Sequence, residues 1–351
     1  MDKKIRLLQV IPRLDVGGAE TGCKDIGQYI ANQNYFSAIL CSGGEQIKNI
    51  DQTKVKIFKF SVQSKNPFVI FFNIFVILFI VFFYKINIIH VRSRAPAWSC
   101  YFASKLLGVP LISTFHGTYN FNNPLKKFYN SVMLRGNSVI AGSRFIFEHI
   151  KNNYNYSKEI FLIPRGIDIN YFNPKNSNIE ELNSVRTRWG ISSNNFLILL
   201  PGRLTFWKGQ FLFLNTLLFL KQENLLNSIS AIILGDDQGR TEYREYLLDF
   251  IREHRLEENV KIVSHESFMP SAYNACNLVL SASIEPEAFG RVAVEAQAME
   301  KPILASNIGG SNETIIDGQT GWLFKSDDEK DLAKMIIEIS KKDKSFLKDL
   351  G

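Results

Sequence analysis

Two carboxylates eight positions apart, Glu287 and Glu295, flank Gly290 in the segment EPEAFGRVAVEAQ at residues 285–297. Carboxylates accept hydrogen bonds from hydroxyl groups, so two of them reaching one ligand from a loop and a helix suit a polyhydroxylated molecule. An apolar run at 278–282 precedes the segment and reads as a buried strand, and residues 289–299 place apolar side chains at helical spacing. Glu287 therefore falls in the turn and Glu295 on the helix. Eight helical steps of about 100° leave two residues roughly 80° apart, so the pair does not share a helix face. Gly290 permits close backbone approach. The free N–H groups that open the helix, near Phe289 and Gly290, attract a phosphate. A Glu pair at this spacing also arises as plain solvated charge, so the reading needs support from other loops.

That support comes first from residues 201–209, PGRLTFWKG, which follow a strand at 196–200. Arg203 can bind two phosphate oxygens at once and Lys208 supplies a point charge, as a diphosphate requires. The loop lacks the G-x-x-x-x-G-K-[ST] spacing of a P-loop. Gly309-Gly310, after a strand at 302–305, opens another turn into a helix and offers N–H groups to an anion. In the first half, Gly17-Gly18 joins a strand at 5–11 to a helix reaching about residue 31. This fits a phosphate-approaching turn, with an ordinary tight turn as the alternative; it is not the G-x-G-x-x-G of a dinucleotide site. His116 lies just past a strand at 109–114, and the RSRAP loop at 92–96 follows another at 86–91. Both occupy the strand ends where an open α/β sheet binds its ligand.

The elements that position these residues alternate along the whole chain. Strands at 35–41, 55–60, 138–141 and 159–163 complete the first half, with helical stretches between most of them; strands at 229–234 and 260–263 extend the second. Each half reads as a doubly wound parallel α/β sheet. At 351 residues the chain suits two domains. The ordered linker IPRGID at 163–168 places the break, giving domains at 1–165 and 166–351. Residues 1–165 carry 21 Lys+Arg against 8 Asp+Glu, and the remainder 20 against 26, so the net +7 conceals +13 and −6. A basic first half suits an anionic membrane or nucleic acid. The basic residues do not form an aromatic-interleaved stripe, which argues against nucleic acid. Cys23, Cys41, Cys100 and Cys276 lie far apart, without ligand spacing, and read as reduced core residues. Behind Lys3, Lys4 and Arg6 the apolar stretch is short, and no secretory signal is evident.

Residues 68–84 include eight aromatic rings and one polar residue, Asn73. As a helix they span roughly 26 Å, short of a hydrocarbon core of about 30 Å. Crossing the membrane there would also split one sheet between two sides of the bilayer. The expectation is an amphitropic helix, one side packed on the sheet and the other in the interface. Lys54, Lys56, Lys59, Lys65 and Lys85 flank it, as anionic lipid favours. Full burial of the helix is the alternative.

Taken in order, Gly17-Gly18-Ala19-Glu20, His116-Gly117, IPRGID at 163–168, Gly202-Arg203-Leu204 with Lys208-Gly209, Glu287 to Glu295, and Gly309-Gly310 with Glu313 resemble the retaining glycosyltransferases of family four. The likeness covers nearly the whole chain and looks closest to bacterial members that build lipopolysaccharide or related surface glycans, core mannosyltransferases among them. It implies the GT-B fold, two Rossmann-like domains facing across a cleft that closes on its substrates. It further implies that Glu295 binds the ribose hydroxyls of a UDP- or GDP-linked sugar and Glu287 the sugar hydroxyls. Arg203, Lys208 and the N–H groups near Phe289 and Gly290 would hold the diphosphate. His116 would sit near the transferred sugar, and Gly17-Gly18 near the diphosphate or acceptor. No metal or other cofactor is expected, and the acceptor would be a glycolipid at the cytoplasmic face of the inner membrane. A nucleotide-sugar 2-epimerase, a phosphorylase and a non-catalytic membrane-associated partner are the alternatives on this fold. Two departures stand out. Arg165 replaces the family's common Asn, and the chain stops where relatives usually continue into a helix crossing back onto the first domain, as a truncated chain would.

Overall fold

The computed structural model describes residues 4–15, 17–119, 123–176, 179–192, 194–266 and 268–351. Residues 1–3, part of the basic opening, lie outside the described residues. The chain divides into two compact units, Met1–Arg165 and Gly166–Gly351.

The first unit runs β1 (Arg6–Val10), α1 (Gly18–Asn32), β2 (Phe36–Cys41), β3 (Val55–Lys59), α2 (Pro67–Phe83), β4 (Ile88–Val91), α3 (Arg94–Leu107), β5 (Leu111–Phe115), α4 (Pro124–Ser131), β6 (Ser138–Ala141), α5 (Arg144–Asn153) and β7 (Ile160–Leu162). Its strands form one parallel sheet in the order β3-β2-β1-β4-β5-β6-β7. Side chains from Asn66 and Ser143 accept backbone N–H groups at the starts of α2 and α5, satisfying donors that a helix cannot pair internally. The four cysteines are free and buried.

Helix α2 has one covered side, with Ile74, Val76, Ile77, Ile80 and Val81 buried, and one open side. It runs close beside α3, and Ser99 Oγ of α3 donates to Ile70 O at 2.7 Å. Asn73, its one polar residue, is buried and donates to Ser61 O at 3.1 Å. The alternative of full burial is ruled out, because Phe68, Phe71, Phe72, Phe75, Phe79, Phe82 and Phe83 are all exposed. A helix of this composition is apolar all round, so periodicity could not say which side a neighbour covers. Among the described residues, no helix is long and apolar enough to cross a membrane.

The second unit runs α6 (Ile179–Arg188), β8 (Phe196–Pro201), α7 (Gln210–Gln222), β9 (Ile229–Leu234), α8 (Thr241–Glu253), β10 (Val260–Val263), α9 (Met269–Ala275), β11 (Leu278–Ser281), α10 (Arg291–Ala298), β12 (Ile303–Ser306), α11 (Ser311–Thr314), β13 (Trp322–Phe324), α12 (Glu329–Ser340) and α13 (Lys344–Leu350). The parallel order is β10-β9-β8-β11-β12-β13. Along β8, Ile198 and Leu200 enter one hydrophobic core while Leu197 and Leu199 enter another, so helices cover both faces, as a parallel sheet requires. Strand β13, at three residues, is too short to leave a periodic signal and was legible only in the fold.

Candidate functional site

The second unit's strand order reverses between β8 and β11, and open α/β sheets bind ligands outside the strand ends at such a reversal. The loops leaving these two strands carry Lys208 and Glu287. They are joined at the backbone, Ile284 N donating to Trp207 O at 2.8 Å. Gly209 makes the approach possible: its φ is 72°, and a Cβ there would lie 1.8 Å from Ala282 O. Lys208 Nζ donates to Glu287 Oε1 at 2.7 Å, and Ser283 Oγ donates to the same oxygen at 2.5 Å. Burial works against the Glu287 charge, but the Lys208 charge and the hydrogen bonds from Lys208, Ser283 and Ser281 outweigh it, holding the carboxyl below its ordinary range. The result is an ionised carboxylate beside a fixed cation, with Lys208 and Ser283 both on Oε1.

The second glycine pair has a different role from the one expected. Gly310 N donates to Glu287 O at 2.8 Å, and a Cβ on Gly309, whose φ is 61°, would lie 2.7 Å from that same carbonyl oxygen. Gly309-Gly310 thus lets its turn press against the loop that carries Glu287. The helix that follows, α11, has only four residues.

Gly290 immediately precedes helix α10; its φ of 80° suits glycine, and it provides no side-chain cap. The opening N–H groups of the helix, following Phe289, therefore lack a capping side chain. One turn further, Glu295 Oε1 accepts from Arg291 Nε at 3.0 Å and Oε2 from the Tyr273 hydroxyl at 2.8 Å. Tyr273 is fully buried; burial, then the Glu295 charge, pushes its hydroxyl well above the ordinary value. Arg203 is exposed, its Nη1 reaching Gln238 Oε1 at 3.4 Å, while Gln210 Nε2 fastens the Arg203 carbonyl at 2.8 Å. The structure thus joins Lys208 to Glu287 and leaves Arg203 apart from both carboxylates. Sequence reasoning missed Ser283, Tyr273 and Arg291. Only Arg291, four residues before Glu295 on the same helix, left a readable signal.

In the first unit, Gly17 and Gly18 open α1, and Glu20 folds back over them: a Cβ on Gly17 would lie 2.4 Å from Glu20 Oε2. His116 follows β5. Its Nδ1 meets the Arg165 guanidinium, and its Nε2 is covered with no hydrogen-bond partner. Burial first, then the charges of Arg165, Arg92 and His90, holds the imidazole well below its ordinary pKa, so it stays neutral. Arg165, the departure from the common Asn, therefore acts on the histidine directly. Among the described residues, no group of three or more His, Cys, Asp or Glu is placed to hold a metal ion.

Residues 16–171 match the description Glycosyltransferase Family 4 and residues 183–350 match Glycosyl transferases group 1. The crystal structure of a glycosyltransferase from Rickettsia africae is 34% identical, covers 99% of this chain and 91% of its own, and superposes with a TM-score of 0.86. The Anabaena HepE structure in complex with UDP-glucose shares the fold at a TM-score of 0.83 and 23% identity, covering 99% of this chain and 92% of its own. The D-inositol 3-phosphate glycosyltransferase of Paenarthrobacter aurescens is 26% identical over 67% of this chain and 60% of its own length. The lipopolysaccharide 1,2-N-acetylglucosaminetransferase of Salmonella typhimurium is 29% identical over 46% of this chain and 42% of its own. The matches thus span less than two thirds of these two curated relatives. With two parallel α/β units, the ordered motifs and a 34% identical solved glycosyltransferase spanning nearly its whole length, this chain belongs to glycosyltransferase family 4 and has the GT-B architecture.

Proposed function

We propose that the chain transfers a sugar, with retention of anomeric configuration, from a UDP- or GDP-linked donor to a glycolipid acceptor in lipopolysaccharide or related surface-glycan synthesis, core mannosyl transfer being the specific case. The observation that carries this reading is the Lys208–Glu287–Ser283 array at the sheet reversal. It supports the reading because a leaving diphosphate needs a fixed cation and a sugar needs a carboxylate that accepts from its hydroxyls. Glu295 takes the ribose hydroxyls, and Arg203 with the α10 N–H groups takes the remaining phosphate oxygens. The acceptor hydroxyl attacks the anomeric carbon on the face from which the diphosphate departs. As the new C–O bond forms and the sugar–phosphate bond breaks, the hydroxyl proton passes to the leaving phosphate oxygen. His116 and Gly17-Gly18 serve the first unit's part in this transfer. Because Lys208, Arg203 and a helix N-terminus supply the positive charge, the reaction runs without a divalent metal.

The test is a thermal-shift panel of UDP-, GDP-, ADP- and CMP-sugars with EDTA and again with magnesium. One nucleotide family at ~100 times its dissociation constant should stabilise the fold by about 2.7 kcal/mol with EDTA present. Stabilisation only with magnesium would sink the metal-free mechanism. Silence across the panel would favour the non-catalytic partner, and turnover of free donor without transfer would favour the epimerase.

The same reading places the first unit on the anionic cytoplasmic face of the inner membrane. Supporting it, α2 exposes its phenylalanines while Lys59, Lys65 and Lys85 around it are exposed. Its neighbour α3 adds exposed Phe102 and Leu106. Apolar rings enter the acyl boundary and the lysines meet the headgroups. The protein should sediment with phosphatidylglycerol vesicles at low salt, and Phe71→Ser with Phe75→Ser and Phe79→Ser should weaken that binding at least about tenfold. Equal sedimentation of wild type and variant, or dimerisation in place of sedimentation, would refute the membrane assignment.

A further inference from the structure

The first unit has a sheet reversal of its own, between β1 and β4. Arg92, the residue following β4, lies there. Its N–H donates to Val10 O at 3.0 Å and its Nε to Gln9 Oε1 at 2.7 Å. Gln9 is held in turn, its Nε2 donating to Cys23 O at 2.8 Å. Arg92 is only 4% exposed, yet its Nη2 has no hydrogen-bond partner. Among the described residues no carboxylate forms an ion pair with it; Asp25 acts on it only through its field. A buried guanidinium without a counter-charge is costly, and proteins retain such groups where a ligand completes them.

The end of the adjacent strand β5 repeats the pattern. A guanidinium has no acceptor atom, so His116 Nδ1 must accept from Arg165, and the neutral ring carries its proton on Nε2. That Nε2–H is covered and unpartnered as well. Both orphans are donors, so the missing partner presents acceptor atoms, and the uncompensated Arg92 charge favours an anion. Two glycines leave room. A Cβ on Gly22 would meet only Arg92 Nη1, at 3.6 Å, and one on Gly117 would meet nothing within 4 Å. The start of α1 is not part of this site, because Glu20 already covers Gly17.

We infer that Arg92 Nη2 and His116 Nε2 form an oxyanion site, within the first unit, for a phosphate group carried by the acceptor. Only the identity of the carrier rests on the transferase reading; the site itself rests on the orphan donors. The probe is inorganic phosphate, titrated calorimetrically into the full chain in phosphate-free buffer, alone and with saturating UDP or GDP. Arg92→Gln should weaken phosphate at least about tenfold, and Lys208→Met should leave that site within about twofold while weakening the nucleotide. Phosphate should still bind with nucleotide present. Absence of phosphate binding, or its loss in Lys208→Met and not in Arg92→Gln, would overturn the site. Competition with nucleotide would give Arg92 to the donor and overturn the acceptor assignment. Failure of both nucleotides to bind while phosphate binds would instead sink the donor reading and leave this site standing. Should Arg92→Gln not fold, Arg92→Lys keeps the charge and loses the fork; it should bind phosphate about threefold more weakly or worse, and unchanged affinity would refute the proposal.

Discussion

Replacing Lys208 with methionine is expected to lower kcat/KM for sugar transfer by about 1,000-fold, equivalent to roughly 4 kcal/mol of transition-state stabilisation. Methionine keeps an unbranched apolar stem but removes the ammonium that donates to Glu287 Oε1. Two losses combine. The departing diphosphate loses a cation in a partly covered site, and Glu287 loses the partner that offsets its burial. The second loss has a sign that can be checked separately. A carboxyl held below its ordinary value in the folded state contributes stability above its unfolded pKa, and that contribution fades as pH falls through the lower folded value. Without Lys208 the depression of Glu287 is relieved, so stability should fall at neutral pH and less should remain to be lost on acidification. Urea denaturation of both proteins at pH 7 and pH 4 measures this, alongside steady-state transfer with whichever donor binds. A variant that turns over within threefold of wild type would remove Lys208 from the chemistry.

The second large effect belongs to Glu295, where two substitutions separate binding from folding. Glu295→Gln should weaken the nucleoside diphosphate about 100-fold, since charge-assisted hydrogen bonds to two hydroxyls become neutral ones and each factor of ten is about 1.4 kcal/mol. The glutamine oxygen still accepts from the Tyr273 hydroxyl, so the fold should tolerate this change. Glu295→Ala should bind equally poorly and also lose stability. It strands the hydroxyl of a fully buried tyrosine, at a cost of about 1–3 kcal/mol. Arg291, which pairs with the other carboxylate oxygen, loses its partner as well. Calorimetric titration with the nucleoside diphosphate and urea midpoints distinguish the two. Wild-type affinity in Glu295→Gln would mean that this carboxylate serves the helix and not the ligand.

Several residues behind these expectations were legible from one-dimensional spacing. Glycines beside charged residues at strand ends mark loops that approach phosphate, because strand ends and helix starts leave backbone groups unpaired whatever the rest of the fold does. Thus Lys208 and Glu287 could be named as members of one site from separate loops. That they touch, and that Ser283 braces the same oxygen, could not, because contact depends on the β8–β11 reversal and on Gly209 admitting Ala282 O. The Gly309-Gly310 pair was misleading for a related reason. Glycine is needed wherever backbones crowd, and here the Gly310 N–H is taken by the Glu287 carbonyl that the turn presses against.

By itself the sequence determined that this is an α/β chain with two doubly wound sheets, that its apolar helix is too short to cross a bilayer, and which strand-end loops carry charge. These properties follow from periodicity, length and residue type, which are local. Only the tertiary structure decided which oxygen of Glu287 is taken, that Tyr273 and Arg291 hold both oxygens of Glu295, that α2 turns its phenylalanines outward, and that Arg92 and His116 are buried with unused donors. Those outcomes are pairings between residues distant in the chain. The strand order brings them together, and the low-dielectric surroundings make each satisfied or orphaned polar group count.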